Sequence, residues 1–170
     1  NYLPIKTFKD LATDPLSAIT STLAKMGPKE GAAIQILISP AESDWQKTGS
    51  KFIADTKKQE SDPEKAKFST SAKTLEAVEN KITKSGFETS IRVAVVSENE
   101  DVAKSHLENI VSAFGQFASD TNLFKKRKIL NKGGFMEDFL YRYQPMFNIP
   151  GNRHSVLNSE ELATIFHFPN

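Results

Sequence analysis

Two apolar runs decide the fold class of this chain: AAIQILIS (residues 32–39) and SIRVAVVS (residues 90–97). Both runs are rich in β-branched residues, both have the length of a strand, and both end on a serine that precedes an acidic helix start. The uninterrupted Ile36, Leu37 and Ile38 favour a central strand, because strands that are buried on both faces lack polar alternation. The two runs therefore predict a sheet that is covered on both faces.

Helical patterns surround the two runs and predict an α+β fold. Asp14 and Pro15 mark the start of a helix before the first run, and Gly27 marks its end. Two helices are predicted between the runs, over residues 44–60 and 71–84, and a long one follows the second run over residues 99–119. A turn at NKGG (131–134) and a short aromatic helix over residues 134–146 complete the pattern.

The outer segments add a more specific prediction about the topology. Residues 4–8 are predicted to form an edge strand that begins at Pro4, and residues 122–130 a last edge strand. Strand, helix and strand then occur once in residues 4–39 and again in residues 87–130. This repetition predicts a ferredoxin-like split β-α-β sandwich with extra inserted helices and a C-terminal helical tail.

The end of the chain, LNSEELATIFHFPN (157–170), contains a helix start with nothing after it. Asn158 or Ser159 can cap this helix, and the two glutamates that follow complement its dipole. Leu162, Ile165 and Phe166 form one apolar stripe, which predicts docking on another domain. We therefore expect a single α+β domain over residues 1–150, and a linker and helix over residues 151–170 that lead to a missing downstream domain.

Two further predictions concern segments with few apolar residues or few contacts. Residues 60–73 are polar and contain a proline, and they are predicted to form a mobile loop or a frayed helix join. If residues 151–170 are a linker and a docking helix, the deletion of residues 155–170 should change the stability of the core only a little.

The composition excludes several classes of function. A chain of 170 residues is about one domain, and its net charge of +1 gives no global attraction to nucleic acid or to an anionic membrane. The absence of cysteine excludes disulfides, thiol catalysis and cysteine-rich zinc sites. No apolar run approaches the roughly 20 residues that a helix needs to span a bilayer.

No catalytic, cofactor or metal site is predicted. The sequence contains no GxxxxGK[ST], GxGxxG or HExxH pattern. His106, His154 and His167 each lack a second ligand at metal spacing, and His106 is predicted to lie at the edge of the core. The acidic residues around 42–44 and 98–101 lie at helix starts, where the helix dipole explains them. We therefore expect a protein that is not an enzyme and that needs no cofactor.

One charge cluster has two interpretations. Six basic residues and two acidic ones lie between Asn122 and Tyr143, interleaved with aromatic residues. The basic residues are Lys125, Lys126, Arg127, Lys128, Lys132 and Arg142. Such a stretch can bind single-stranded nucleic acid through phosphate contacts and base stacking. The alternative is an edge strand that its lysines protect from pairing, followed by a helix whose aromatic residues belong to the core.

The segment LNSEELATIFHFPN resembles a junction in type IV secretion coupling-protein-like ATPases of the FtsK–HerA superfamily, where a similar segment precedes the nucleotide-binding domain. Two other stretches resemble the same proteins: residues 14–49 and residues 81–100. The resemblance extends over most of residues 3–170, and its sharpest part is the last 14 residues. It contains no catalytic motif of the family, whose phosphate-binding loop would lie beyond Asn170.

The resemblance implies a role, partners and a location for the protein, but no reaction that it catalyses. It implies a non-catalytic accessory domain of a membrane-associated DNA-translocating or type IV secretion-like ATPase, which positions the motor or mediates contacts between subunits. The implied partners are a downstream ATPase domain of the same chain, further copies of the parent protein, and DNA. The implied location is the cytoplasmic side of the bacterial inner membrane, with no direct membrane insertion by this part of the protein.

Overall fold

The computed structural model of the chain describes residues 1–60, 70–144 and 155–167. Most of the predicted loop at 60–73 and the first residues of the predicted linker, 151–154, lie outside the described residues. Six α-helices and three strands occur in the described parts: α1 (Leu16–Leu23), β1 (Gly31–Pro40), α2 (Asp44–Glu60), α3 (Ala72–Ile82), β2 (Gly86–Val96), α4 (Glu100–Ala113), α5 (Lys132–Leu140), β3 (Ser155–Asn158) and α6 (Ser159–Ile165). This mixture confirms the prediction of an α+β fold.

The sheet is antiparallel, has three strands in the described residues, and follows the order β1-β2-β3. The two apolar runs of the sequence are neighbours in it, with Ile36 opposite Ile91 near the middle of their ladder. The prediction that the first run is central is wrong. β2 is the central strand because β3 pairs with its other side, while no strand in the described parts of the chain pairs with the outer side of β1.

The predicted edge strand at residues 4–8 is not a strand. The backbone N–H of Ile5 donates to the Glu161 carboxylate at 2.8 Å, so a side chain of α6 takes the place of a neighbouring strand. The predicted strand at 122–130 is also absent from the described sheet. The ferredoxin-like arrangement depends on both of these strands and is therefore not confirmed.

Two clusters of buried side chains hold the domain together. The main core lies between one face of the sheet and the helices α1 and α4. Its buried members are Ile5, Ile19, Ile110, Phe114, Phe117, Leu157 and Ile165. The second cluster lies between α2 and α3 around Val78, and it includes Tyr2 and Phe52, whose ring centroids are 5.1 Å apart. The N-terminal segment thus contributes to both clusters.

Gly86, the first residue of β2, allows the close approach of Trp45 from α2. A Cβ atom at position 86 would lie 2.5 Å from the Trp45 ring. Because this overlap would force the buried indole or the strand to move, we expect Gly86→Ala to lower the free energy of unfolding by about 1–3 kcal/mol. Urea denaturation measures this change, with Gly115→Ala as the control, since a Cβ at position 115 meets open space. Equal stability of the two variants would contradict the role assigned to Gly86.

Candidate interaction surface

The six basic residues of the predicted nucleic-acid site lie in the connection between α4 and α5, at the start of α5 and just after its end. All six are exposed to solvent: Lys125, Lys126, Arg127, Lys128, Lys132 and Arg142. The structure places two of them beside acidic residues of α4. Lys126 forms an ion pair with Glu108. The pKa of Glu100 is lowered mainly by Lys104 and to a smaller extent by Lys132.

Residues 122–130 lie along α4 and not at an edge of the sheet. Phe124 packs edge-on against Phe114 and Phe117, with ring centroids 6.1 Å apart and interplanar angles of 89° and 84°. The Lys126 ion pair holds the segment on α4, and the aromatic cluster holds it on the residues that directly follow this helix. The prediction of a lysine-protected edge strand is therefore wrong, although Phe124 packs against the main core. The aromatic residues of the following helix, which that interpretation assigned to the core, are not among the buried members of either cluster.

The predicted turn at NKGG is instead the start of α5. Asn131 caps the helix, because its side-chain oxygen accepts a hydrogen bond from the backbone N–H of Gly134 at 3.0 Å. A Cβ at position 134 would lie 2.8 Å from the end of the Asn131 side chain, so a larger residue at this position would require that side chain to shift. Phe135 and Phe139 are one turn apart on the half-buried side of α5, with their ring centroids separated by 6.2 Å.

Arg92 of β2 holds α5 on the face of the sheet that points away from the main core. Its guanidinium donates to the backbone carbonyls of Asp138 and Tyr143, at 2.9 and 2.6 Å, and to the side chain of Gln35 at 3.2 Å. Gln35 in turn donates to the carbonyl of Phe139 at 3.0 Å. Burial lowers the pKa of Arg92, and the charge of Asp138 opposes this shift. We did not predict this role, although Arg92 is the only charged residue in the run SIRVAVVS.

Large apolar side chains protrude from the same stretch of the chain, on α5 and on the segments that precede and follow it. Leu130, Tyr141 and Leu140 are 87%, 82% and 70% exposed. Met136 and Tyr143 are exposed as well. Single exposed apolar residues are common, but a group of them within one short stretch marks a place where a protein meets another surface. We call residues 123–143 the basic-apolar surface.

The three residues predicted to dock on another domain do not form one free stripe. Ile165 is 3% exposed and belongs to the main core, and Leu162 packs against that core. Phe166 follows the last helical residue and is 75% exposed. The prediction is wrong for Ile165, because α6 turns its apolar side toward the core of its own domain. Since β3 and α6 belong to the same sheet and core as the rest, residues 155–167 are part of the domain rather than a linker.

A buried ion pair joins α6 to α3. Lys81 Nζ lies 3.0 Å from Glu161, and both side chains are 1% exposed. Lys81 also donates to the carbonyls of Leu3 and Val156, at 3.1 and 2.9 Å. Burial lowers the pKa of Lys81, and the Glu161 charge opposes this shift. The pair thus links the N-terminal segment, α3, β3 and α6, a role of Glu161 that its place at a helix start does not predict.

The histidines in the described residues contact single carboxylates. His106 Nε2 lies 3.1 Å from Glu30, and His167 Nε2 lies 3.1 Å from Asp14. His106 is half-buried, in agreement with its predicted place at the edge of the core, while His154 lies outside the described residues. No group of three or more histidine, aspartate or glutamate residues in residues 1–60, 70–144 and 155–167 is arranged to hold a metal ion.

Within the described parts of the chain, no helix combines the length and the apolar character required to cross a bilayer.

Comparisons with known proteins give a family but no function. No curated protein and no solved structure matches the chain. The model of a family described as a domain of unknown function, DUF8128, matches residues 1–170. Because this match extends over all of the sequence, the chain belongs to the DUF8128 family.

Proposed function

We propose that the chain is a non-catalytic accessory domain of a membrane-associated DNA-translocating or type IV secretion-like ATPase, where it positions the motor or mediates contacts between subunits. It acts as part of a larger protein, on the cytoplasmic side of the bacterial inner membrane, together with a downstream ATPase domain. The observation that carries this proposal is the basic-apolar surface. Two of its protruding side chains, Met136 and Leu140, belong to a helix that Arg92 fixes to the sheet, an arrangement suited to contact with another surface.

The contacts between the three stretches that resemble the ATPase family support the proposal. Trp45, in the first stretch, packs against Gly86, in the second. Lys81, also in the second stretch, forms the buried ion pair with Glu161 in the third. The resembling segments therefore meet in one framework, as expected if the resemblance reflects a shared fold.

The sequence of the gene beyond the codon for Asn170 tests the proposal. We expect a GxxxxGK[ST] motif after a predicted strand, within about 100–200 residues, because a motor domain needs this loop to hold nucleotide phosphates. A stop codon directly after Asn170 would contradict the association with an ATPase.

Nucleic-acid binding by the six basic residues is a second candidate function. Lys125, Arg127 and Lys128 are exposed and lie close together in the sequence, and Tyr141 and Tyr143 are exposed aromatic residues on which bases can stack. This function predicts a DNA affinity that falls steeply with salt and is lost on charge reversal. Because Lys126 is paired with Glu108, Arg127→Glu should weaken binding more than Lys126→Glu. The absence of binding at low salt would exclude this candidate.

A further inference from the structure

We propose that the outer edge of β1 pairs with the same edge of a second copy of this chain, so that the sheets of the two copies become one continuous sheet. This inference deepens one part of the proposed function, the contact between subunits, and rests on that part but not on the presence of an ATPase domain. In a single copy β1 is an edge strand of the described sheet. In the pair it lies between β2 and the β1 strand of the second copy.

The hydrogen-bonding pattern shows which backbone groups of β1 face outward. The backbone N–H of Ala41 donates to the carbonyl of Gly86, at the end of the ladder between β1 and β2. Because bonded and non-bonded pairs alternate in an antiparallel ladder, the odd-numbered residues of β1 direct their backbone groups toward β2 and the even-numbered residues direct theirs away from it. The hydrogen bond from the N–H of Ser159 to the carbonyl of Ser85, on the other side of β2, follows the same alternation.

Four residues of β1 therefore offer both a donor and an acceptor to another strand. They are Ala32, Ile34, Ile36 and Ile38. No backbone group of residues 1–60, 70–144 and 155–167 forms a hydrogen bond with their outward N–H or carbonyl groups. The side chains of these residues lie on the side of the main core, and the first three pack against it.

β1 lacks the features that protect an edge strand from pairing with other chains. Such strands are usually short, bent by a bulge or marked by lysine and other charged residues. β1 has ten residues, none of them charged, and its register with β2 is continuous from Gly31 to Pro40. The proline lacks an N–H but stands at the end of the strand. A long, regular and uncharged edge of this kind is a template for a further strand.

The sequence of β1 is complementary to itself when two copies pair about a twofold axis at Gln35. In this antiparallel register Ile34 faces Ile36 of the second copy, and Ala32 faces Ile38 of the second copy. All outward residues of one copy then meet those of the other, and each such pair exchanges two hydrogen bonds. A twofold contact needs a surface that matches itself, so a second copy of the chain is the partner that this strand fits.

The same register matches side-chain sizes on both faces of the sheet. The small Ala32 faces the large Ile38 on the core side, and the small Ala33 faces the large Leu37 on the side of α5. Ile38, which is 55% exposed in a single copy, thereby gains a neighbouring strand. The absence of charged residues in β1 means that the symmetric pairing places no like charges opposite each other. Pro40 stays outside the paired residues.

The position of α5 fits the same axis. Gln35 of β1 and Arg92 of β2 lie opposite each other, and they donate to the carbonyls of Phe139 and Asp138 at the C-terminal end of α5. This end of α5 therefore lies over the line between the two strands. Since neighbouring strands are about 4.8 Å apart, that line is about 5 Å from the twofold axis. The ends of the two α5 helices are then about 10 Å apart, which is a distance at which helices pack.

Sedimentation velocity over a range of concentrations tests the pairing. We expect an equilibrium between monomer and dimer. Ile38→Lys places a charge on the paired edge of both copies and should weaken the dimer at least about tenfold. Val96→Lys is the matched control, because Val96 is also an exposed β-branched strand residue but belongs to β2, away from the outer edge of β1. It should dimerise like the unchanged protein, and thermal unfolding checks that both variants fold.

Disulfide formation tests the register, because the chain contains no cysteine of its own. Ala33 and Leu37 face each other across the proposed axis. A mixture of Ala33→Cys protein and Leu37→Cys protein should therefore form a disulfide-linked dimer under mild oxidation. The Ala33→Cys protein alone should not, because the two cysteines would be offset by four residues, about 13 Å along the strands.

Hydrogen exchange at single residues reports on the edge itself. The amides of Ile34 and Ile36 should exchange slowly in the dimer and rapidly after dilution to the monomer, because only the second copy bonds to them. The amides of Gln35 and Leu37 bond to β2 and should stay protected at both concentrations.

Three results would overturn the proposal. The first is a chain that remains monomeric at the highest concentration at which it is soluble. The second is a dimer that Ile38→Lys weakens no more than Val96→Lys does, or that forms no mixed disulfide. The third is slow exchange of the Ile34 and Ile36 amides in the dilute monomer, which would mean that the chain covers this edge itself. A stop codon after Asn170 would contradict the ATPase association and leave the pairing untouched, so the two tests fail separately.

Discussion

Removal of residues 155–170 is expected to abolish the cooperative unfolding of the domain. The deletion removes β3 from the sheet and takes Leu157 and Ile165 out of the main core. It also removes Glu161 and leaves the buried Lys81 without its counter-charge. Each of these losses alone costs a few kcal/mol, which is a large part of the stability of a small domain. Thermal unfolding followed by circular dichroism measures the effect.

Shorter changes in the same region separate the core residues from the exposed one. Leu157→Ala and Ile165→Ala should each lower the free energy of unfolding by about 2–5 kcal/mol, because both side chains are buried. Phe166→Ala should change it by less than about 0.5 kcal/mol, because this side chain is exposed. A melting temperature that is nearly unchanged by the deletion would restore the interpretation of residues 151–170 as a linker and docking helix.

The elements that the sequence predicted correctly are those with long and regular patterns. β1, β2 and the helices α1 to α4 all occur close to their predicted positions. Their periodicity is a local property that a single strand or helix displays by itself. The class of the fold follows from these elements, but the arrangement of the strands does not, because it depends on which distant segments pair.

β3 illustrates why the topology could not be predicted. It has four residues, Ser155–Asn158, and pairs with only the first four residues of β2. A segment this short shows no clear alternation, and it directly precedes a well-marked helix start. Conversely, the segment 4–8 has a strand-like pattern, but the backbone N–H groups of Ile5 and Phe8 donate to side chains of α6, Glu161 and Thr164, and not to a neighbouring strand. Tertiary contacts decide both cases.

The composition of the basic-apolar surface could be predicted from the sequence, but the contacts that hold α5 on the sheet could not. The exposure of the six basic residues agrees with the sequence pattern, since lysine and arginine are rarely buried. The role of Arg92 could not be predicted in the same way, because its partners lie 46 and 51 residues away in the chain. The apolar stripe of α6 has the same limitation: the pattern shows that Ile165 needs a partner, but not that the partner belongs to the same domain.

Replacement of one member of the Lys81–Glu161 pair is expected to have the second-largest effect on stability. Lys81→Met should lower the free energy of unfolding by about 3–5 kcal/mol, because it leaves the charge of Glu161 buried and unpaired. Glu161→Gln should lower the free energy of unfolding by a similar amount, because it leaves the charge of Lys81 buried and unpaired. Urea denaturation of both single variants and of Lys81→Met with Glu161→Gln completes a double-mutant cycle.

The double variant should lose less stability than the sum of the single variants, because it leaves neither charge without a partner. The exposed pair Lys104–Glu100 is a matched control, since its Nζ–O distance is also 3.0 Å. Its coupling energy should not exceed about 0.5 kcal/mol, because water screens both charges. The two cycles therefore compare the same chemistry at the same distance, and burial is the main difference between them. Additive effects at Lys81 and Glu161 would mean that the backbone donors and acceptors around each side chain, and not the ion pair, hold α6 against α3.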